Sequence, residues 1–435
     1  MIPQISICIN TAINERHHIE LLFRSLEKNL YRKDHEIIVY VENDNQDTTG
    51  FLLTQKTHFP NLKIIINPLP IPLGYARNIN LMFERAIHDR VSYLQSDQVI
   101  CANYDIEVLK HLREDTIISS TRIEPPLHPP SPEKITHDFG LDPSKFDLNA
   151  FTNFANSCKK DQQTDFWFAP FTLFKNNWIE IGGHDTLFRR SREDSDLLYR
   201  FSMKDIKIKQ VWNALVYHFT CTSSRGPEWW TEKAKTRTQL QQTADMVEMH
   251  RFLRKWPQFK HTTTFNPETE YKYQISTNFY NVAPRDYDLL RYYFMFHRIY
   301  IDNPITREEI RKIYCQLHDP ANKLLNISDY EWNLHKKYYR TWEFDDIYSE
   351  TPIIDDDVVI NMNLTGQPFG EILQNHGNTF KQLNNVVYSN RNEEPGEFEL
   401  EDVAAKLIIN RVVNRIKENL IVKNPPLDDI IFPIV

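Results

Sequence analysis

The chain is poor in the residue that most permits tight turns and close backbone approach. Only ten glycines occur in 435 residues, where average usage of about 7% would give roughly thirty. Those that remain are therefore expected where no side chain fits, among them Gly74 in PLGYARN and the adjoining Gly182 and Gly183. No glycines fall into Gly-x-Gly-x-x-Gly or Gly-x-x-x-x-Gly-Lys-Ser/Thr order, so the familiar dinucleotide and P-loop cradles are absent. The five cysteines (Cys8, Cys101, Cys158, Cys221, Cys315) form no Cys-x-x-Cys pair, which suggests neither a zinc knuckle nor a disulfide framework. No run of about 18 apolar residues exists to span a membrane. The N-terminal MIPQISICINTAINE lacks the basic, apolar and small-residue segments of a signal peptide, so a cytoplasmic location is expected. A net charge of -8 does not favour a general binder of phosphate backbones.

What is present is a 41% hydrophobic chain, ample for buried cores, with the soft prior of two to three domains. Short apolar runs alternate with amphipathic stretches. ISICI (5–9), EIIVYV (36–41), LKIIIN (62–67) and VSYLQ (91–95) read as strands; ERHHIELLFRSLEKNL and YARNINLMFERAIH read as helices. Strand alternating with helix implies right-handed parallel crossovers, and in such sheets ligands lie beyond the carboxyl ends of the strands. Those ends are polar and acidic: NTAINER, ENDNQD with Glu42, and SDQ with Asp97. Residues 124–165 are loop-like, with five prolines in EPPLHPPSPEK, and read as a functional lid or as disorder. FWFAPFTLFK (166–175) is a further strand, followed by turn, helix and strand to VYHF. From about residue 227 the pattern becomes mainly helical, with WWTEKAKTRTQLQQTADMVEMHRFLRKW, DLLRYYFMFHRIY and VAAKLIINRVVNRIKENL. The aromatics in that region read as core or as an oligomer interface, so a homo-oligomer is one expected partner.

Taken in order, ISICINTAINE, EIIVYVENDNQD, LGYARNIN, YLQSDQ, IGGHDTLFRRSREDSDLLYR and VYHF resemble a family 2 glycosyltransferase of the GT-A fold. The resemblance spans about residues 4–220. It implies an α/β fold with a nucleotide-sugar-binding, Rossmann-like mixed sheet over 1–226, and leaves 227–435 as a mainly helical accessory region. It also implies an inverting transfer of a sugar from a nucleotide-sugar donor, UDP-linked, to the hydroxyl of a glycan or other acceptor. Asp194 is then the general base with Glu193 in support, and Asp97 and His218 are the ligands of a divalent metal, Mn2+ or Mg2+. Donor contacts fall on Thr11, Ala12, Glu42, Arg77, Asn78, Ser96 and Gly183. The triplet Gln95-Ser96-Asp97 departs from the family's Asp-x-Asp at its first acid, so metal binding is expected to persist but weaken.

Simpler roles stand beside these. Asn and Asp make turns, Arg77 can be a surface residue capping its neighbours, and Asp194 can merely cap its helix. Asp196 and Arg200 fit an intrahelical pair, while Arg189, Arg190 and Arg192 fit either the diphosphate or an acceptor cleft. Two rival functions remain: a non-catalytic nucleotide-sugar-binding scaffold, favoured by Gln95, and a glycosyltransferase acting on a modified nucleic acid base, for which the helix bearing Lys233, Lys235, Arg237, Arg251, Arg254 and Lys255 is the feature to test.

Overall fold

The computed structural model of the chain describes residues 2–11, 15–42, 47–69, 73–127, 130–167, 169–188, 192–220, 252, 255–256, 275–282, 299–302, 348–349, 351–352, 358–363, 420–424 and 433–434. The chain divides into two compact units, Met1–Arg237 with Val422–Val435, and Thr238–Ile421.

The first unit opens with β1 (Ser6–Asn10), α1 (Arg16–Asn29), β2 (Glu36–Val41), α2 (Thr48–Gln55), β3 (Leu62–Ile66), α3 (Tyr75–Arg85) and β4 (Arg90–Gln95). It continues through β5 (Gln98–Ile100), α4 (Tyr104–His111), β6 (Thr116–Glu124), β7 (Lys134–Thr136), α5 (Leu148–Cys158), β8 (Gln163–Thr164), β9 (Phe171–Phe174), α6 (Lys175–Glu180), α7 (Glu193–Ser202) and β10 (Lys207–His218). The α/β mixed sheet expected from the sequence is present, in the order β3-β2-β1-β4-β9-β6-β10-β5, with β7 on β6 and β8 on β10. Neighbours among β3, β2, β1 and β4 run parallel; β9 is antiparallel to both β4 and β6. The chain steps outward from β1 to β2 and β3, then returns to the other side of β1 as β4. That reversal opens a crevice beyond the carboxyl ends of β1 and β4, where an open α/β sheet binds its ligand.

The first four strands are buried on nearly every residue, as continuous apolar runs covered on both faces should be. Helix α1 lays Ile19, Leu22, Phe23 and Leu26 into this core, each worth about 1.5–3 kcal/mol of burial. Strand β9 begins only at Phe171, shorter than the run 166–175 expected, because Pro170 has no N–H to donate to a ladder.

Residues 124–165 are more structured than their prolines suggest. Asp147 caps α5 by accepting from the amides of Asn149 and Ala150, both at 2.9 Å. Phe146 and Phe151 pack against Tyr217 at ring separations of 5.1 and 6.3 Å, and Phe146 and Phe151 are buried. This stretch is thus a second small core seated on the end of β10, rather than a lid without structure of its own.

In the second unit the described residues form a parallel sheet, β13-β12-β11-β14, of β11 (Ile275–Tyr280), β12 (Ile299–Ile301), β13 (Tyr348–Ser349) and β14 (Val358–Asn363). These strands were not read from the sequence. Strand β12 takes the end of DLLRYYFMFHRIY, where β-branched Ile299 and Ile301 favour extension. Most of the other helical stretches expected there, and most of the Trp229–Trp256 helix with its basic residues other than the buried Lys255, lie outside the described residues. Among the described residues no helix is long and apolar enough to cross a membrane.

Candidate active site

The turn after β4 brings the first pair together. Phe219 N donates to Asp97 O at 3.1 Å, which fastens this turn to the end of β10 and sets His218 beside it. His218 Nε2 then lies 3.6 Å from Asp97 Oδ2, and both residues are buried. Glu124, at the end of β6, takes the other ring nitrogen: Nδ1 and Glu124 Oε1 are 2.8 Å apart. Burial pushes the Glu124 carboxyl up, but the hydrogen bond and charge of His218, with Arg122 and Lys134, outweigh it and hold the group well below the usual carboxylate range. An ionised Glu124 accepts, so Nδ1–H donates, which leaves Nε2 on the side of the Asp97 carboxylate. A carboxylate beside an imidazole is a donor set that suits Mn2+. Among the described residues no group of three or more His, Cys, Asp or Glu could hold a metal.

Gln95 has another partner. Its backbone N donates to Gln98 Oε1 at 2.9 Å and its Oε1 accepts from Gln98 Nε2 at 3.0 Å. Ser96 donates its hydroxyl to the Glu15 carboxylate. His18 on α1 stands edge-on to Phe219 at 5.1 Å; burial pushes its pKa down to about 4 against the opposing charge of Asp97.

On the other side of the crevice, Thr11 gives both its N–H and its hydroxyl to Tyr40 O, at 3.0 and 3.1 Å. Glu42 Oε1 accepts from Gly74 N at 3.2 Å, tying the end of β2 to the start of α3. Gly74 has φ of 86°, a left-handed value that a side chain resists, which accounts for the glycine in LGYARN. Arg77 and Asn78 follow on α3 and are buried, so Arg77 is not a surface cap. The Asn78 side-chain oxygen is buried with no hydrogen-bond partner among the described residues, a costly state unless something else completes it. Ala12, Arg189 and Arg190 lie outside the described residues.

The third part is the first turn of α7. Arg192 precedes it at φ of 71° with no side-chain cap, and Glu193, Asp194 and Asp196 crowd the turn where the helix dipole favours negative charge. These carboxylates part company at once. Asp196 is fully buried and accepts from Arg200 Nε at 2.8 Å, while Arg200 Nη1 donates to Ile181 O at 2.8 Å. Glu193 and Asp194 stay partly exposed, with Asp194 Oδ1 accepting from Ser195 N at 2.7 Å. Tyr93, on β4, reports where they converge. Its hydroxyl donates to Asn10 Oδ1 at 2.7 Å, and its pKa is raised first by burial, then by the charges of Glu193, Tyr75, Asp97 and Asp194. The carboxylates of Glu193, Asp97 and Asp194 thus all bear on Tyr93.

The glycine pair is shaped by the protein itself. Both residues have positive φ, and a Cβ on Gly182 would come 2.0 Å from Val422 O, while one on Gly183 would come 2.6 Å from Trp178 Cζ2.

Sequence reasoning missed Glu124, Glu15 and His18. Each is distant in sequence from the residue it contacts, and Glu124 ends a strand of mixed polar and apolar residues, TIISSTRIE, that carries no motif.

No family model matches the chain, and no curated relative matches it. Solved structures do. A crystal structure of Staphylococcus aureus TarS 1-349 in complex with UDP is 12% identical over 58% of this chain and 80% of that one, with a TM-score of 0.38. A longer S. aureus TarS structure is 13% identical over 79% of this chain and 54% of that one, at 0.37. GalNAc-T7 with UDP, GalNAc and Mn2+ is 12% identical over 56% of this chain and 51% of that one, at 0.39. This chain thus spans about half the length of the last two.

Proposed function

We propose that this protein is an inverting glycosyltransferase that moves a sugar from a nucleotide-sugar donor, UDP-linked, to an acceptor hydroxyl. The observation that supports it most is the placement of Asp97 at the end of β4, beside the reversal of the parallel strands, with His218 Nε2 3.6 Å from its carboxylate. In this reading the acceptor oxygen attacks the anomeric carbon as the bond to the diphosphate breaks, the bonding pair leaves with the diphosphate, and the acceptor proton passes to Asp194. Glu193 orients sugar or acceptor, and the donor contacts are assigned to Thr11, Glu42, Arg77, Asn78 and Ser96, with Ala12 and Gly183 assigned by the sequence resemblance alone. A divalent cation, Mn2+ or Mg2+, would be held by Asp97 and His218 and supplies Lewis-acid stabilisation of the departing negative charge. Glu124 keeps His218 turned toward Asp97. A placed base contributes roughly 10²- to 10⁴-fold in rate.

The engagement of Gln95 with Gln98 favours a second reading, a scaffold that binds the nucleotide sugar without turning it over. Incubating the protein with a panel of UDP-, GDP- and dTDP-sugars plus Mn2+, and measuring nucleoside diphosphate release, separates the two. Release above the protein-free rate supports the enzyme, and binding without release supports the scaffold.

A further inference from the structure

The segment that returns to the first unit after Ile421 does so against the loop between α6 and α7. Asn424 uses its whole amide there. Oδ1 accepts from Thr186 N at 3.1 Å and from Thr186 Oγ1 at 3.0 Å; Nδ2 donates to Gly182 O at 3.0 Å and His184 O at 2.8 Å. An Asn side chain offers two donors and an acceptor with two lone pairs, so no capacity is left for a ligand. Two residues earlier, Val422 N donates to Ile181 O at 3.1 Å, the same carbonyl that receives Arg200 of α7.

The loop held in this way is the one that joins the two halves of the site. Its His184 is bracketed from α3 by Asn80, which accepts from His184 N at 2.8 Å and donates to His184 O at 2.9 Å. Asn80 and Asn424 thus share the two lone pairs of one carbonyl. On one side the clamp reaches the helix of Arg77 and Asn78, and the loop then runs on to Arg192 and the carboxylates of α7. Gly182 and Gly183, both at positive φ, have little conformational preference of their own to keep this path.

The geometry points to Asn424 as a positioning residue of the active site: by filling the Gly182–Thr186 loop with four hydrogen bonds, it fixes the placement of Glu193 and Asp194 relative to the donor. This rests on the glycosyltransferase reading. Misplacing a reacting group by about 1 Å can cost on the order of 10²-fold in rate without loss of binding groups. The effect should therefore fall on kcat rather than on donor KM.

The test uses the full chain as wild type, Asn424→Asp, Asn424→Ala and a control, Phe59→Leu, in the core far along the chain from this loop. Asn424→Asp is isosteric and keeps the acceptor for Thr186, but it turns an oxygen toward two carbonyls. Three quantities are measured: thermal midpoint, amide exchange across 180–188, and steady-state turnover of whichever nucleotide sugar is active with Mn2+. For both Asn424 variants, loop exchange is expected to accelerate and kcat to fall about tenfold or more, with donor KM within about threefold. Phe59→Leu is expected to lower the midpoint with kcat near wild type. Unchanged loop exchange, unchanged kcat, or an equal kcat loss in a Phe59→Leu protein of the same midpoint would overturn the assignment. If the wild type turns over no donor, the functional reading fails, and with it the catalytic role; the exchange arm then decides only whether Asn424 holds the loop.

Discussion

Asp194 and Asp196 sit two residues apart in one helical turn, one partly exposed and the other fully buried against Arg200. Asp194→Asn keeps the oxygen that accepts from Ser195 N and removes only the proton acceptor. Transfer is expected to fall by roughly 10² or more while donor affinity and thermal stability hold; near wild-type transfer in a stable, donor-binding variant would remove Asp194 from the mechanism. Asp97→Ala is expected to abolish, and His218→Ala to weaken, the thermal shift that Mn2+ produces in the presence of UDP. A response that survives in Asp97→Ala would move the metal elsewhere. A third forecast concerns protons. Burial, then the charge of Arg200, pushes His184 down to about 3, and Trp178 Nε1 donates to its Nδ1 at 3.1 Å. The unfolded chain takes up that proton near pH 6.5, so the stability His184 contributes is complete above that pH and lost progressively as pH falls toward 3. Urea midpoints from pH 7.5 to 5 should decline less steeply in His184→Gln than in wild type. Asp97, His218, Glu193 and Asp194 could be proposed from the sequence because each sits in a short pattern whose order along the chain carries meaning. Glu124 was not, since what gives it a role is a histidine 94 positions away.

Helix α7 looks solvated in its letters, EDSDLLYRFS, and is half core in fact. The spacing of Asp196 and Arg200 revealed the pair, but not that both side chains are fully buried, because a charge run carries no mark of the surface it faces. Removing one partner strands the other in the interior. Asp196→Ala is expected to cost about 3–5 kcal/mol, whereas replacing both residues by well-packed apolar ones of similar volume should be close to neutral; urea denaturation of the three proteins checks the asymmetry. Helix α5 shows the converse. Its Leu148, Phe151 and Ala155 have helical spacing, yet the preceding prolines gave the whole stretch the look of a loop. Phe151→Ala is expected to cost about 3–5 kcal/mol by opening a cavity beside Tyr217, and a loss under about 1 kcal/mol would mean that α5 is only loosely seated.

Across the whole molecule, apolar strands were the legible part. Strands β1 to β4 lie within a residue or two of where apolar runs place them, since a strand buried on both faces must be apolar throughout, whereas the longer but more polar β6, TIISSTRIE, was not read. Strands of two or three residues such as β5, β7 and β8 carry too few side chains to form a pattern, and the second sheet interrupts stretches whose periodicity suggested helices. Two compact units are expected to unfold in two calorimetric transitions. UDP with Mn2+ at 100 times its dissociation constant should raise only the first unit's transition, by about 2.7 kcal/mol of stability; an equal rise in both would contradict a site built from Met1–Arg237. The return of Val422–Val435 to that unit also has a consequence in time. A ribosome makes the Gly182–Thr186 loop early, then spends all of Thr238–Ile421 before Asn424 emerges. Throughout that interval the nascent chain already carries every proposed catalytic carboxylate, while water stands in for Asn424 at Gly182, His184 and Thr186. Any message cut short within the second unit would yield a product with the proposed catalytic carboxylates but without the clamp on the loop that leads to them.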